Sequence, residues 1–189
     1  MFRSIGYNLA RLARFSGRES RALFWPYALT VLVLGMVAGM LLFVPLVMDM
    51  VTRMAAYVQT HPEGLPKPAP GQVPTFPPEL MPDFGAMMVP MAVVNLVTLL
   101  LYAAATVRRL HDRDRSGWWA ALPLPFQLVG TLIAPRAMSA MMHPNAGPSP
   151  ATMLSGLNSL AYWGVFIFLI VLLAGESTPG PNRYGDPVA

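Results

Sequence analysis

Long apolar blocks alternate along the chain with short stretches that hold nearly all of its charge. Residues 23–48, 86–107, 117–134 and 156–174 contain no Asp, Glu, Lys or Arg. A spanning helix needs about 20 apolar residues to cross roughly 30 Å of hydrocarbon, and each block approaches or exceeds that length. A soluble helix would interrupt such a run with periodic polar positions. The pattern predicts an all-α integral membrane protein, a bundle of about four transmembrane helices. It divides the chain into a basic segment over 1–22, a transmembrane domain over 23–175 and a polar tail over 176–189.

The blocks differ in character. The first opens with Phe24, Trp25 and Tyr27, aromatics suited to the headgroup boundary, and Pro26 falls in its first turn, where a missing N–H is tolerated. It begins near Leu23, runs for about 25 residues and lacks a small-residue cleavage site, so it is expected to stay in the membrane and not be removed as a signal peptide. From Asp49 to Gly85 the chain carries Pro62, Pro66, Pro68, Pro70, Pro74, Pro77, Pro78 and Pro82, which predicts an extended or irregular extracytoplasmic loop. The third block is short and holds Pro123 and Pro125, so a kinked span and a re-entrant segment both fit it. With four spans the C-terminus returns to the side of the N-terminus; with three it does not. Residues 135–155 read as a second loop. Within the spans, Asn95, Thr98, Gln127 and Asn158 are expected to form interhelical hydrogen bonds.

Charge adds orientation. The first 22 residues hold Arg3, Arg11, Arg14, Arg18 and Arg21, and the turn after the second block holds Arg108, Arg109, Arg113 and Arg115; together these are nine of thirteen basic residues. The positive-inside rule then places the N-terminus and the 108–115 turn in the cytoplasm, with the Pro-rich loops outside. Clustering beside apolar blocks makes topology, not nucleic acid, the reason for the formal net charge of +4. Ile5, Leu9, Leu12 and Ala13 recur at helical spacing among the N-terminal arginines. Two readings stand for this segment: an amphipathic helix on an anionic membrane surface, or a flexible topogenic tail.

Candidate chemistry is sparse. There is no cysteine. His61 and His143 lie in loops assigned to the side opposite His111, so no metal site is expected. The methionines at 87, 88, 91, 138, 141 and 142 read as packing residues and not as copper ligands. No cofactor-binding motif appears, and no charge sits at a span midplane, which counts against ion-coupled transport. The densest polar run is Arg108, Arg109, Leu110, His111, Asp112, Arg113, Asp114 and Arg115, followed by Ser116, Gly117, Trp118 and Trp119. Arg108 and Arg109 stand four and three residues before Asp112, so either can pair with it on one helix face. His111 beside Asp112 resembles half of an acid–base pair but lacks a nucleophile partner. Trp118 and Trp119, with Phe24 and Trp25, are expected as interface anchors.

Three separated motifs carry a resemblance: Phe15, Gly17, Arg18, Arg21, Phe24 and Trp25; Arg108 to Asp112 with Ser116 to Trp119; and Pro179, Gly180, Asn182, Arg183, Tyr184, Gly185 and Pro187. Together they are similar to the bacterial inner-membrane family known as domain of unknown function 805. The resemblance implies a small, multi-pass cytoplasmic-membrane protein and suggests that the three motifs converge. Arg18, Arg21, Arg108, Arg109, His111, Asp112 and Arg183 are then expected to form one polar cap at the cytoplasmic face, with no catalytic, cofactor or metal residue assigned. If Arg109 pairs with Asp112, exchanging the two should restore expression lost in either single reversal. The long loop and additional apolar block depart from the compact family pattern.

Three functional readings follow. The first is a non-enzymatic interaction, accessory or envelope-homeostasis protein, contacting anionic lipid headgroups and a membrane-protein partner or a second copy. The alternative is a channel or small-solute or lipid transporter, with the Arg/His/Asp cluster as its anion or headgroup site. A membrane-embedded enzyme using His111 and Asp112 is the minor third. A continuous polar cavity reaching the cluster favours the last two, and a tightly packed bundle with an exposed apolar groove favours the first.

Overall fold

A computed structural model describes residues 1–67, 70–71, 77–142 and 149–187. Five helices follow in order: α1 (Phe2–Leu9), α2 (Arg21–Thr60), α3 (Phe84–Asp112), α4 (Leu124–Met142) and α5 (Pro150–Ala174). Short 3₁₀ turns lie at Pro78–Leu80 and Gly117–Ala121. There is no β-strand among the described residues, and four helices are long and apolar enough to cross a membrane. His143, Pro68 and Pro74 lie outside the described residues.

Helix ends depart from the apolar blocks for local reasons. Residues 49–60, expected in the loop, continue α2, since no Pro or Gly interrupts them and Arg53 pairs with Asp49 one turn earlier at 2.8 Å. The helix stops at His61, where Pro62 disfavours further α backbone. At 40 residues α2 is about 60 Å long, twice the hydrocarbon thickness, so its charged end projects well beyond the apolar run. Residues 135–142, likewise expected in a loop, extend α4. Pro123 and Pro125 sit at the start of α4, where the missing N–H costs little. The third block therefore opens with the 3₁₀ turn and runs on from Leu124 as one helix. Asp83 caps α3 by accepting from the Ala86 N–H at 3.2 Å, and Ser149 with Thr152 forms a capping box on α5.

Packing is concentrated at one end of the bundle, where α2 begins and α3 and α5 finish. Phe24, Tyr27, Ala28 and Val31 of α2 meet Ala105 and Leu110 of α3 and Leu169 and Leu173 of α5. Two tyrosines tie α2 to α3 reciprocally: the Tyr27 hydroxyl donates to the Leu101 carbonyl at 2.9 Å, and the Tyr102 hydroxyl donates to the Ala28 carbonyl at 2.6 Å. Of the four polar residues expected to bond between spans, Asn158 does so among the described residues, donating from α5 to the Phe126 carbonyl of α4 at 3.1 Å. Gly130 makes that approach feasible, because a Cβ there would stand 3.1 Å from the Asn158 amide nitrogen. The Thr98 hydroxyl instead donates to Val94 within its own helix. Away from the packed end the spans present apolar side chains outward, as lipid-facing helices must.

Because each tyrosine hydroxyl bonds an otherwise intact helix, Tyr27→Phe and Tyr102→Phe should each cost about 0.5–1.5 kcal/mol, the range for interhelical bonds in membranes. Thermal unfolding in a fixed detergent checks this; no loss in either variant would mean the hydroxyls do not hold α2 to α3.

Candidate functional site: a buried guanidinium clasp

The packed end is closed by polar groups contributed from three distant parts of the chain. Residues 17–19, between α1 and α2, lie against the last turn of α3, and the Glu19 N–H donates to the Arg108 carbonyl at 3.1 Å. The tail after α5 covers the same turn, with Thr178 donating to the Asp112 carbonyl from both its N–H (3.0 Å) and its hydroxyl (2.7 Å). Gly17, Gly180 and Gly185 adopt positive φ where these segments bend. The final carbonyls of a helix have no intrahelical partner, so the last turns of α3 and α5 need outside donors.

Arg18 supplies one such donor to the Asp112 carbonyl, and Arg109 and Arg113 supply others to the Leu173 and Leu172 carbonyls. Arg18 is buried and gives Nε to Asp112 Oδ1 at 3.0 Å; its terminal nitrogens reach the carbonyls of Gly180 (2.6 Å) and Thr178 (2.7 Å). Arg109, 0 % exposed, bonds Asp112 Oδ2 and gives Nε to the Leu173 carbonyl at 2.9 Å, while Nη2 reaches the Gly175 carbonyl. Ser177 donates to the same Asp112 oxygen. Arg108 turns the other way: Nε bonds Glu19 Oε2 at 2.9 Å, Nη1 reaches the Arg11 and Arg14 carbonyls at 2.9 and 2.6 Å, and Nη2 bonds Asn8 Oδ1. Asn8 closes this half by donating to Glu19 Oε1 at 2.8 Å. No buried side-chain nitrogen or oxygen is left without a partner among the described residues.

Three buried guanidinium groups thus face two buried carboxylates, and the surplus positive charge is met by backbone carbonyls of the α1–α2 connection, the tail and the ends of α3 and α5. Burial pushes the Glu19 carboxyl above its ordinary range, opposed by the charge of Arg108, by bonds from Asn8 and Arg108, and by the charge of Arg109. Glu19 depends on those partners to stay ionised.

The structure brings Arg18, Arg108, Arg109, His111 and Asp112 together but sorts them differently from the local spacing. Arg109 takes Asp112, whereas Arg108 takes Glu19, a partner 89 residues away. His111 sits at the edge, its Nδ1 3.2 Å from the Gly17 carbonyl and its ring stacked on Tyr184 at 3.7 Å. Arg183 pairs with exposed Asp114 at 3.0 Å and approaches the Tyr184 ring, and exposed Arg21 reaches only 4.0 Å from Glu176. These two belong to the rim. Sequence reasoning missed Glu19, Asn8, Ser177 and Thr178; the lone acid among five N-terminal arginines was the available sign for Glu19.

Among the expected interface anchors, Trp25, Trp118 and Trp119 are exposed, Trp118 at 84 %. Phe24 corrects the expectation, since at 2 % exposure it fills the core between α2, α3 and α5. Consecutive residues on a helix point about 100° apart, and that rotation turns Phe24 toward α3 and α5 while Trp25 stays exposed. The expected rescue by exchanging Arg109 and Asp112 also needs revision. An aspartate at 109 has no donor and is too short to reach the Leu173, Gly175 and Glu19 carbonyls, so the acceptors that Arg109 now satisfies would be left unpaired.

A family model described as "Protein of unknown function (DUF805)" matches residues 12–186, nearly the whole chain, and the protein belongs to that family. No curated protein and no solved structure matches it.

Removing one partner of a buried, bonded ion pair costs about 3–5 kcal/mol, whereas an exposed pair is worth about 1 kcal/mol or less. Glu19→Leu, Arg108→Met and Arg109→Met should therefore abolish most of the folded yield, and Arg183→Ala and Arg21→Ala should leave it nearly unchanged. The Arg109/Asp112 exchange should be as poor as the single variants. Fluorescence-detected size exclusion of each variant reads these outcomes.

Proposed function

We propose that this member of the family is a non-enzymatic component of a bacterial cytoplasmic (inner) membrane, N-terminus inward, acting by interaction as a scaffold, accessory subunit or envelope-homeostasis protein. The observation that carries this reading is the saturation of the clasp. Each nitrogen of Arg18, Arg108 and Arg109 already donates to a carboxylate, an amide or a backbone carbonyl. An anion or headgroup entering there would have to displace those acceptors from buried positions, leaving carbonyls unpaired at about 1–3 kcal/mol each. Asp112 accepts from Arg18, Arg109 and Ser177, so it is not free to serve His111 as a base partner. The clasp therefore supports a role in holding the fold, and leaves contact with lipid and protein to the exposed apolar sides of the spans.

Orientation rests on the arginine distribution. Residues 1–22 and the 108–115 turn carry most of the basic charge and meet at the clasp end, as does the tail. The positive-inside rule assigns that end to the cytoplasm.

The chain lacks cysteine, so one introduced thiol reports one position. Ser16→Cys and Asp186→Cys should react with a membrane-impermeant maleimide only after cells are opened, and Glu63→Cys before; the reverse pattern would invert the topology. Native mass spectrometry of the protein released in mild detergent should then retain a stoichiometric protein partner or a second copy. A bare monomer that carries anions or lipid across proteoliposome membranes would replace this reading with the transport one.

A further inference from the structure

Helix α1 is turned the opposite way from a helix lying on a soluble protein. Its polar residues Ser4 and Asn8 are buried, while Phe2 is 90 % exposed and Leu9, Leu12 and Phe15 just beyond are also exposed. Ser4 donates to the Leu23 carbonyl, and Asn8 bridges Glu19 and Arg108, so the inward face is fixed by the clasp itself. At about 100° per residue, Phe2, Gly6 and Leu9 form one outward arc across the helix from Ser4 and Asn8, with half-buried Ile5 at its edge. Arg3 and Arg14 are exposed, and Arg11 lies 3.9 Å from the Tyr7 ring centroid.

An outward apolar arc held rigidly in place needs an apolar medium, and its position decides which. α1 packs beside the first turns of α2, at the end of the bundle where exposed Trp25 and Trp118 also lie. That is the depth of a headgroup boundary, where tryptophan is enriched. The single acid within residues 1–22, Glu19, is buried against Arg108, so the surface of this segment displays positive charge alone. A large apolar arc flanked by arginines at the membrane surface matches a leaflet of anionic phospholipid.

We propose that residues 1–15 form an interfacial anchor for anionic phospholipid, with Phe2, Leu9, Leu12 and Phe15 entering the acyl boundary and Arg3, Arg11 and Arg14 meeting phosphate. This does not depend on the reading of the protein as an interaction component. Because Asn8 is shared, the anchor and the clasp are one mechanical unit: α1 cannot lift from the surface without withdrawing Asn8 from Glu19 and Arg108.

The full chain reconstituted in vesicles tests this, with a polarity-sensitive fluorophore on Phe2→Cys or Leu9→Cys and Asp186→Cys as the solvent reference. In vesicles containing phosphatidylglycerol, the two α1 labels should emit at shorter wavelength and be quenched by lipids carrying a spin label near the headgroup, and the tail label should not. In purely zwitterionic vesicles their quenching should weaken. Arg3→Gln and Arg14→Gln should each lower the inserted-to-free ratio roughly fivefold, the equivalent of about 1 kcal/mol per basic residue near an anionic surface. Labels that behave like the tail reference in anionic vesicles, or that become shielded only when cell extract is added, would overturn the proposal, the second outcome pointing to a protein as the occupant. Insertion indifferent to lipid charge and to both substitutions would overturn its anionic specificity.

Discussion

Burying three arginines in a membrane protein is tolerable only if every donor finds an acceptor, and that constraint organises the whole clasp end of this bundle. Two carboxylates are too few for Arg18, Arg108 and Arg109. The missing acceptors are carbonyls that α3, α5 and the chain around α1 leave open. The C-terminal ends of helices are electron-rich where their carbonyls lack partners, and guanidinium groups are cationic and carry several donors in a rigid fork. Each deficiency is remedied by the other, which explains why segments so remote in sequence meet at one place.

The same constraint explains the polarity of the rest. With its polar groups gathered at one end, the bundle can present almost uninterrupted apolar surface along its spans. The helices need little interior packing where lipid replaces water, and the buried core accordingly lies directly beneath the clasp. Tyr27 and Tyr102 continue the logic one turn deeper, each spending its hydroxyl on a backbone carbonyl of the facing helix.

Much of the architecture was legible in the chain because the bilayer imposes a length and an apolarity that a single sequence displays. The four spans and the convergence of arginine-rich segments follow from those rules. Helix ends were less legible, since α2 runs on through residues 49–60 to the residue before Pro62, whatever the hydropathy does after Met48. The pairing within the clasp was least legible. Asp112 lies one turn from both Arg108 and Arg109, and local spacing cannot say that Arg108 prefers Glu19. Phe24 misled for a related reason, as an aromatic pair at a membrane boundary carries no mark of which ring faces inward.

Asn8 shows how the two kinds of information combine. Its helix reads as amphipathic from the recurrence of Ile5 and Leu9, which suggests a membrane surface but not which face the protein itself holds. Only the contact of Asn8 with Glu19 and Arg108 settles that the polar face is the inward one. An apolar face is thereby turned outward by the demands of a buried ion pair. The clasp that satisfies the arginines is also what presents α1 to its surroundings, so the stability of this end of the bundle and its outward contacts rest on one set of hydrogen bonds.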